Sequence, residues 1–167
     1  MQLISVNESF ECVLGVDTAL RVTYRTDTRT VHEPARSFAE PTKTTTSTVK
    51  ITVANKHTFA VTDLVMRDTV PLGNEDAKIR VMLRKPDGLA LAKADDEVAV
   101  ALEDASEVKE AKVRWGKVED GKGGEKDGMY EWVRGIPAGK KVQLETEWDV
   151  KAPGELRGEE KKGEGRS

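Results

Sequence analysis

The clearest pattern in the chain is the alternation of apolar and polar residues between Lys141 and Lys151. Every second position is apolar or threonine, and the positions between them carry charged or amide side chains. The first set is Val142, Leu144, Thr146, Trp148 and Val150. A period of two places each set on one face of a β-strand, whereas a helix would scatter both sets around its axis. The pattern predicts a strand with one buried and one solvated face, as in antiparallel sheets.

The same alternation predicts further strands in both halves of the chain. Ala111–Val118 and Met129–Arg134 form a predicted hairpin with a long loop, and Gly135–Lys140 is a turn marked by proline and glycine. The strands predicted in the first half contain Phe10, Cys12 and Leu14, then Leu20, Val22 and Tyr24, then Val49, Ile51 and Val53.

The stretch Thr48–Pro71 contains two runs that are rich in β-branched residues. We expect Asn55–Thr58 to be the turn between two strands and Pro71 to mark the end of the second, because proline cannot donate to a ladder. Ala77–Pro86 predicts one more strand. Asp27–Glu40 contains prolines and charges, and we expect it to be irregular.

The segment Leu89–Lys109 carries two conflicting signals. Its Ala, Leu, Glu and Lys residues favour a helix, but the run EVAVALE alternates like a strand. We expect a short strand or an irregular connection there, with a helix as the alternative. The chain then has about eight strands and no clear long helix. This predicts an all-β fold, a sandwich of two antiparallel sheets or a barrel.

Composition changes this picture at two places. Charged residues make up 34% of the chain, and many lie in Asp120–Asp127 and Gly154–Ser167. Neither stretch can bury enough apolar surface to offset its ordering entropy, so we predict a mobile loop and a disordered tail. The predicted organisation is one β-sandwich domain at residues 1–153 and a charged tail at residues 154–167. The net charge of −3 with well-mixed signs argues against nucleic-acid and membrane partners.

The cysteine count, the apolar runs and the N-terminal segment indicate the cellular setting. One cysteine, Cys12, excludes an internal disulfide, and its alternating apolar run favours a small buried side chain over a reactive thiol. No apolar run reaches the roughly 18 residues of a membrane span. Met1–Phe10 lacks the basic start and apolar run of a secretory signal. We therefore expect a reducing, cytoplasmic setting.

Two stretches, ITVANKHTFAVTDLVMRDTVP (Ile51–Pro71) and IPAGKKVQLETEWDV (Ile136–Val150), resemble immunoglobulin-like modules. Together with Glu8–Arg25, their order is similar to that in the C-terminal domain of mucoidy-inhibitor-A-like proteins, itself a domain of unknown function. The resemblance covers Glu8–Pro153 and implies an immunoglobulin-like antiparallel β-sandwich at the end of a longer protein. On this resemblance the chain is a fragment or a truncated relative, and the family implies no catalytic residues.

The residues with reactive side chains offer little chemistry. His32 and His57 are the only histidines, and neither has a cysteine or a second histidine nearby, so both are interpreted as solvated. The acidic clusters Asn74–Lys78, Ala94–Glu97 and Glu119–Gly128 lack the spacing of an EF-hand, although sandwich loops can gather calcium ligands from distant positions. The sequence predicts no catalytic, cofactor-binding or metal-ligating residue, and no cofactor.

The three tryptophans, Trp115, Trp132 and Trp148, lie on the apolar faces of their predicted strands. Packing in the core is therefore favoured over a carbohydrate or peptide platform. Trp132 is less clear than the other two, because its strand has apolar residues on both faces.

These observations favour a non-enzymatic interaction or structural module. The expected partner is another protein, or preceding domains of the same chain, bound by strand addition at an edge strand. Thr42–Asn55 is the candidate edge. The alternatives are a sandwich that binds carbohydrate or calcium through the loops around Asp95 and Asp120, and an enzyme whose carboxylates converge only in the fold. The sequence leaves the oligomeric state open.

Overall fold

The computed structural model describes residues 3–14, 18–35, 40–103 and 106–154, and for residues 3–14 the backbone alone. The regular structure consists of strands and two 3-10 turns, Leu89–Leu91 and Glu125–Asp127. The strands are β1 (Leu3–Leu14), β2 (Leu20–Glu33), β3 (Thr42–Asn55), β4 (Val61–Thr69), β5 (Arg80–Lys85), β6 (Val98–Ala101), β7 (Glu110–Trp115), β8 (Met129–Ile136) and β9 (Lys141–Pro153). No helix in these ranges has the length and apolar character needed to cross a bilayer.

The strands form two antiparallel sheets. One has five strands in the order β1-β2-β3-β9-β5, and the other has four in the order β4-β8-β7-β6. The predicted all-β antiparallel sandwich is confirmed, with nine strands in place of about eight. The predicted β7–β8 hairpin is also confirmed. Of the predicted charged tail, residues 155–167 lie outside the described residues.

The core lies between the two sheets and follows the apolar faces read from the sequence. The five-stranded sheet contributes Val49, Ile51, Val53, Val142 and Leu144, and the four-stranded sheet contributes Val113, Trp115, Tyr130, Trp132 and Ile136. The Tyr130 hydroxyl donates a hydrogen bond to Thr146 Oγ1 across the interface at 2.8 Å. Trp132 is 1% exposed and is a core residue, although its strand has apolar residues on both faces.

The segment Leu89–Lys109, whose sequence favours both a helix and a strand, has no α-helix among its described residues. It contains a short 3-10 turn and the four-residue strand β6, and residues 104–105 lie outside the description. The expected short strand is therefore confirmed. The Trp115 indole Nε1 donates to the Leu89 carbonyl at 2.9 Å, which holds the 3-10 turn against the core.

The five-stranded sheet extends beyond the core as a threonine-rich continuation. Residues in the second half of β3 alternate between buried and half-buried, whereas Thr42–Thr48 are half-buried throughout. The Thr46 hydroxyl donates to Asp149 at 2.7 Å, and the Thr48 hydroxyl donates to Glu147 at 2.9 Å. The threonine run is thus an extended strand whose hydroxyls find partners on β9, rather than a strand stabilised by apolar burial.

The prediction that Thr42–Asn55 is an edge strand is wrong. β3 pairs with β2 from Thr42 to Asn55 and with β9 from Thr42 to Ala54, so its main-chain groups are occupied on both sides. A strand with both neighbours in place cannot accept a third. The period of two in the sequence identifies a strand, but it does not tell which strands are its neighbours.

A second correction concerns Asp27–Glu40, which was predicted to be irregular. β2 continues as a regular strand to Glu33 and pairs with the threonine run of β3. The Thr30 and Thr45 hydroxyls, for example, lie 3.2 Å apart across this pair. Apolar alternation is missing here because the strand is stabilised by its ladder and by hydroxyl contacts. Residues 36–39 lie outside the description.

A buried amide ties together two of the turns that carry the chain between the sheets. Asn55, the last residue of β3, is 1% exposed. Its Nδ2 donates to the carbonyls of Phe59 and Ile136, both at 2.9 Å, and its Oδ1 accepts from the His57 main-chain N–H at 3.0 Å. The predicted turns at Asn55–Thr58 and Gly135–Lys140 are therefore both present and are joined by one side chain.

We predict that Asn55→Ala lowers the free energy of unfolding by about 2–3 kcal/mol, because buried carbonyl and amide groups lose their partner. Asn55→Asp should cost at least as much, since a carboxylate cannot donate to the two carbonyls. Urea unfolding followed by tryptophan fluorescence measures both effects.

Asn74→Ala is the matched control for this prediction. The Asn74 side chain also accepts a main-chain hydrogen bond, from Ala77 at 3.1 Å, but it does so at an exposed turn. We expect a change within about 0.5 kcal/mol. Equal losses in the Asn55 and Asn74 variants would show that the buried amide has no special role.

Candidate functional site

The two histidines and the cysteine do not converge on a site. His57 lies in the turn after β3 with its ring stacked on Phe59, the centroids 4.4 Å apart. His32 lies on β2, and both histidines are half-buried rather than solvated. Cys12 lies on β1, whose side chains are outside the description.

The loops around Asp95 and Asp120 lie at the same end of the four-stranded sheet. The pairing of Val98 with Val113 places the turn before β6 beside the loop after β7. Within the described ranges, however, no group of three His, Cys, Asp or Glu side chains could hold a metal ion. The geometry gives the calcium alternative no support.

The glycine-rich stretch Asp120–Asp127, predicted to be a mobile loop, is instead folded into tight turns. Glu119 and Lys122 exchange main-chain hydrogen bonds of 2.7 and 2.9 Å around Asp120 and Gly121, both of which have positive φ. An Asp-Gly pair suits such a turn because glycine adopts positive φ without strain and aspartate tolerates it. The loop therefore forms a wall beside the outer face of the four-stranded sheet.

Charged side chains form a row across that outer face. Arg67 on β4 lies directly opposite Glu131 on β8, which lies opposite Arg114 on β7. Glu97, immediately before β6, continues the row. Arg67 Nε is 2.6 Å from Glu131 Oε2, Arg114 Nε is 2.9 Å from Glu131 Oε1, and Arg114 Nη1 is 2.9 Å from Glu97 Oε2. We call these four residues the charge row.

Glu131 is the most buried member of the charge row, with a side chain 6% exposed. Burial raises the pKa of its carboxyl, but the hydrogen bonds from Arg67 and Arg114 and their positive charges outweigh burial and lower the pKa overall. The hydrogen bond to Glu131, opposed by partial burial, also raises the pKa of Arg114. Glu131 is therefore held as an ionised carboxylate between two guanidinium groups.

An open pocket of about 420 Å³ lies between the charge row and the glycine-rich loop. Its charged lining consists of Arg67, Arg114, Lys117, Lys122, Glu119 and Glu131. Four cations face two carboxylates, so the pocket is net positive. A negatively charged group would find favourable surroundings there.

The outer edge of β4 borders this pocket and carries unpaired main-chain groups. The Val70 N–H donates to the Gly128 carbonyl at 2.8 Å. This bond shows which residues of β4 bond to β8, because in an antiparallel pair every second residue directs its main-chain groups to the neighbouring strand. Val65 and Arg67 consequently direct their main-chain N–H and C=O away from β8. No strand of the described chain pairs with that edge.

The neighbouring residue Asp68 points inward and contacts tyrosines. Burial raises the pKa of the Asp68 carboxyl, while hydrogen bonds from the Thr69 main chain and the Tyr24 side chain lower it in part. Burial, and the nearby Asp68 charge, also raise the pKa of Tyr130. Asp68 thus has tyrosine neighbours where a catalytic carboxylate dyad would have a second acid.

Comparison with known families matches residues 2–154 with a family described as a domain of unknown function, DUF4139. The chain belongs to the DUF4139 family. The searches of curated proteins and of solved structures found no match for this DUF4139 domain. The family description assigns no activity and does not name mucoidy inhibitor A.

Sequence reasoning about the DUF4139 domain missed the charge row. Arg67, Glu131 and Arg114 occupy outward positions of predicted strands, and such positions are charged in many surface strands. A signal was present in part, because Glu131 and Arg114 each have an apolar residue on either side along their strands. It could not be used without knowing that β8 lies between β4 and β7.

We predict that Glu131→Gln destabilises the domain by about 2 kcal/mol at pH 7, because both arginines lose a charged hydrogen-bond partner. The folded-state pKa of Glu131 is lower than that of the unfolded chain. Its stabilisation is therefore fully present above the ordinary glutamate value of about 4.3 and is lost as the pH falls through the lowered folded value. Thermal unfolding of variant and wild type between pH 3 and pH 8 measures the difference in their stability.

Glu119→Gln, an exposed carboxylate on the same pocket, serves as the control and should change stability little at any pH. A gap between wild type and Glu131→Gln that stays constant from pH 7 into strong acid would contradict the assigned role of the ionised carboxylate.

Proposed function

We propose that this DUF4139 domain is a non-enzymatic interaction module that binds an extended segment of a partner protein along the outer edge of β4. The observation that carries the proposal is the set of main-chain groups on Val65 and Arg67 that face away from β8. A strand added there satisfies these groups with the same hydrogen bonds that join the other strands.

Of the other edge strands, β1, β5 and β6, the two whose side chains the structure describes are poorer candidates. β6 has four residues, and β5 has six, of which Arg80, Arg84 and Lys85 are cationic. Short strands and repeated charges are the features by which proteins protect exposed edges. β4 has nine residues, and its irregularity is confined to a register shift between Val61 and Leu64. From Leu64 to Thr69 the strand is regular.

The use of charged side chains supports an interaction role over an enzymatic one. Glu131 is held by two arginines, and Glu97 by Arg114 and by Lys112 at 3.5 Å. The two arginines lower the pKa of Glu131 and keep its carboxylate ionised, which suits a recognition surface and not proton transfer near neutral pH.

A further part of the proposal is that the domain forms the C-terminal part of a longer mucoidy-inhibitor-A-like protein. The order of motifs from Glu8 to Pro153 supports it. That resemblance implies a preceding β domain and a coiled coil. Sequencing of the genomic region and the transcript tests this directly, and an in-frame stop codon immediately upstream of Met1 would contradict it.

We predict that Val65→Pro abolishes peptide binding while the domain remains folded. Proline removes the one N–H that Val65 directs outward and costs no ladder bond, and edge strands tolerate it for that reason. A phage library of random 12-residue peptides is selected on the wild-type domain, and enriched peptides are tested on the variant. Circular dichroism and the melting temperature report the fold.

Val65→Thr is the matched control, because threonine keeps the N–H and the β-branched shape. We expect it to bind the selected peptides as the wild type does. Failure of the library to enrich any peptide, or equal binding to wild type and Val65→Pro, would refute strand addition at β4.

A further inference from the structure

The charge row ends on a cation at the open edge of the sheet. Along the strand order β4-β8-β7-β6 the signs are positive, negative, positive and negative. Glu131 has a cation on each side, and Arg114 has a carboxylate on each side. Arg67 has a carboxylate on the β8 side alone, so the next position outward, beyond β4, lacks the partner that the alternation requires.

The Arg67 guanidinium is suited to receive that partner. Its Nε is used by Glu131, but its side chain is 72% exposed, and its two terminal nitrogens have no hydrogen-bond partner among the described residues. These two nitrogens can bind a second carboxylate with two parallel hydrogen bonds. The net positive pocket beside Arg67 favours the same charge.

The position two residues earlier on β4 is apolar. Val65 lies on the same outer face as Arg67, is 37% exposed, and faces Val133 of β8. Side chains on one face of a strand are two residues apart. The edge therefore presents an apolar side chain and a cationic side chain two residues apart. Alternate residues of one added strand would contact both of them.

We propose that the segment bound at β4 carries an acidic residue opposite Arg67 and an aliphatic residue opposite Val65. All described strand pairs of the domain are antiparallel, so we expect the added strand to be antiparallel to β4. From its N-terminus, the bound sequence is then an acidic residue, any residue and an aliphatic residue. The partner is thus an acidic, extended segment of another protein. This inference rests on strand addition at β4 as the proposed function.

A second copy of the chain is a poorer occupant of the same edge. Two β4 strands paired antiparallel around Val65 would place Arg67 opposite Asp63 of the other copy. Asp63, however, has φ 54° and lies within the register shift between Val61 and Leu64. A residue in that conformation is out of the ladder, so the matching pair of charges cannot form.

Titration of the ¹⁵N-labelled domain with synthetic nine-residue peptides tests the inference. The first peptide is threonine-rich with Glu-Thr-Val at its centre, the second has Lys-Thr-Val, and the third has the reversed order Val-Thr-Glu. We expect the first peptide to bind the wild type most tightly and to shift the amide signals of Val65 and Arg67. In Arg67→Glu its affinity should fall about fivefold and the Lys-Thr-Val peptide should become the better ligand.

Arg84→Glu is the matched control. Arg84 also lies on an edge strand and pairs with a carboxylate, Asp149 on β9, but it belongs to the other sheet. This variant should leave the order of the three peptides unchanged. Raising the salt concentration should narrow the difference between the Glu and Lys peptides, because exposed charges are screened.

The outcomes separate this inference from the proposed function. Peptides that bind the wild type and fail on Val65→Pro, but show no preference for an acidic residue or no response to Arg67→Glu, would overturn the inference and leave strand addition standing. A preference for Val-Thr-Glu would overturn the antiparallel order. Sedimentation that shows a dimer lost in Val65→Pro would assign the edge to a second copy and overturn the proposed partner.

Discussion

The buried amide of Asn55 is the contact on which the relation of the two sheets depends. One donor group binds a carbonyl in the turn that leads from β3 to β4 and another in the turn that leads from β8 to β9. The main chain of Asn55 adds a bond to Lys140 and accepts one from Gly139. Two of the crossings between the sheets, β3 to β4 and β8 to β9, are therefore held at one point, next to which β4 and β8 are paired.

The strand order of the four-stranded sheet decides which residues meet on its exposed face. β8 lies between β4 and β7, so the carboxylate of Glu131 lies between two arginines that are far from it along the chain. The same order leaves β4 at the edge. Natural sheets protect edges with bulges and charges, and β4 has a register shift near Asp63 and a charge at Arg67. Protection is weakest between these two features, from Leu64 to Met66, where the strand is regular and uncharged.

Much of the fold was predictable, and each error has a physical reason. Alternation located β9 and the apolar faces of β7 and β8, and it placed Trp115 and Trp132 correctly in the core. It failed for the end of β2, which pairs with the threonine run of β3, and it could not tell that β3 lies between two other strands. Burial leaves a period in the sequence, but a ladder stabilised by hydroxyls and main-chain bonds does not. The glycine-rich stretch Asp120–Asp127 was predicted to be a mobile loop, although the positive φ values of its glycines are what tight turns require.

The sequence by itself determined the class of the fold, the positions of most strands, the turn at Asn55 and the scarcity of residues for metal or nucleophile chemistry. These follow from local pattern, because side-chain period and turn residues depend on near neighbours. Only the tertiary structure decided which strands are edges and which outward charges meet. Arg67, Arg114 and Glu131 come from three strands, and their meeting depends on strand order and register. Those are properties of the assembled sheet, since the same alternating strand fits the centre or the edge until its neighbours are in place.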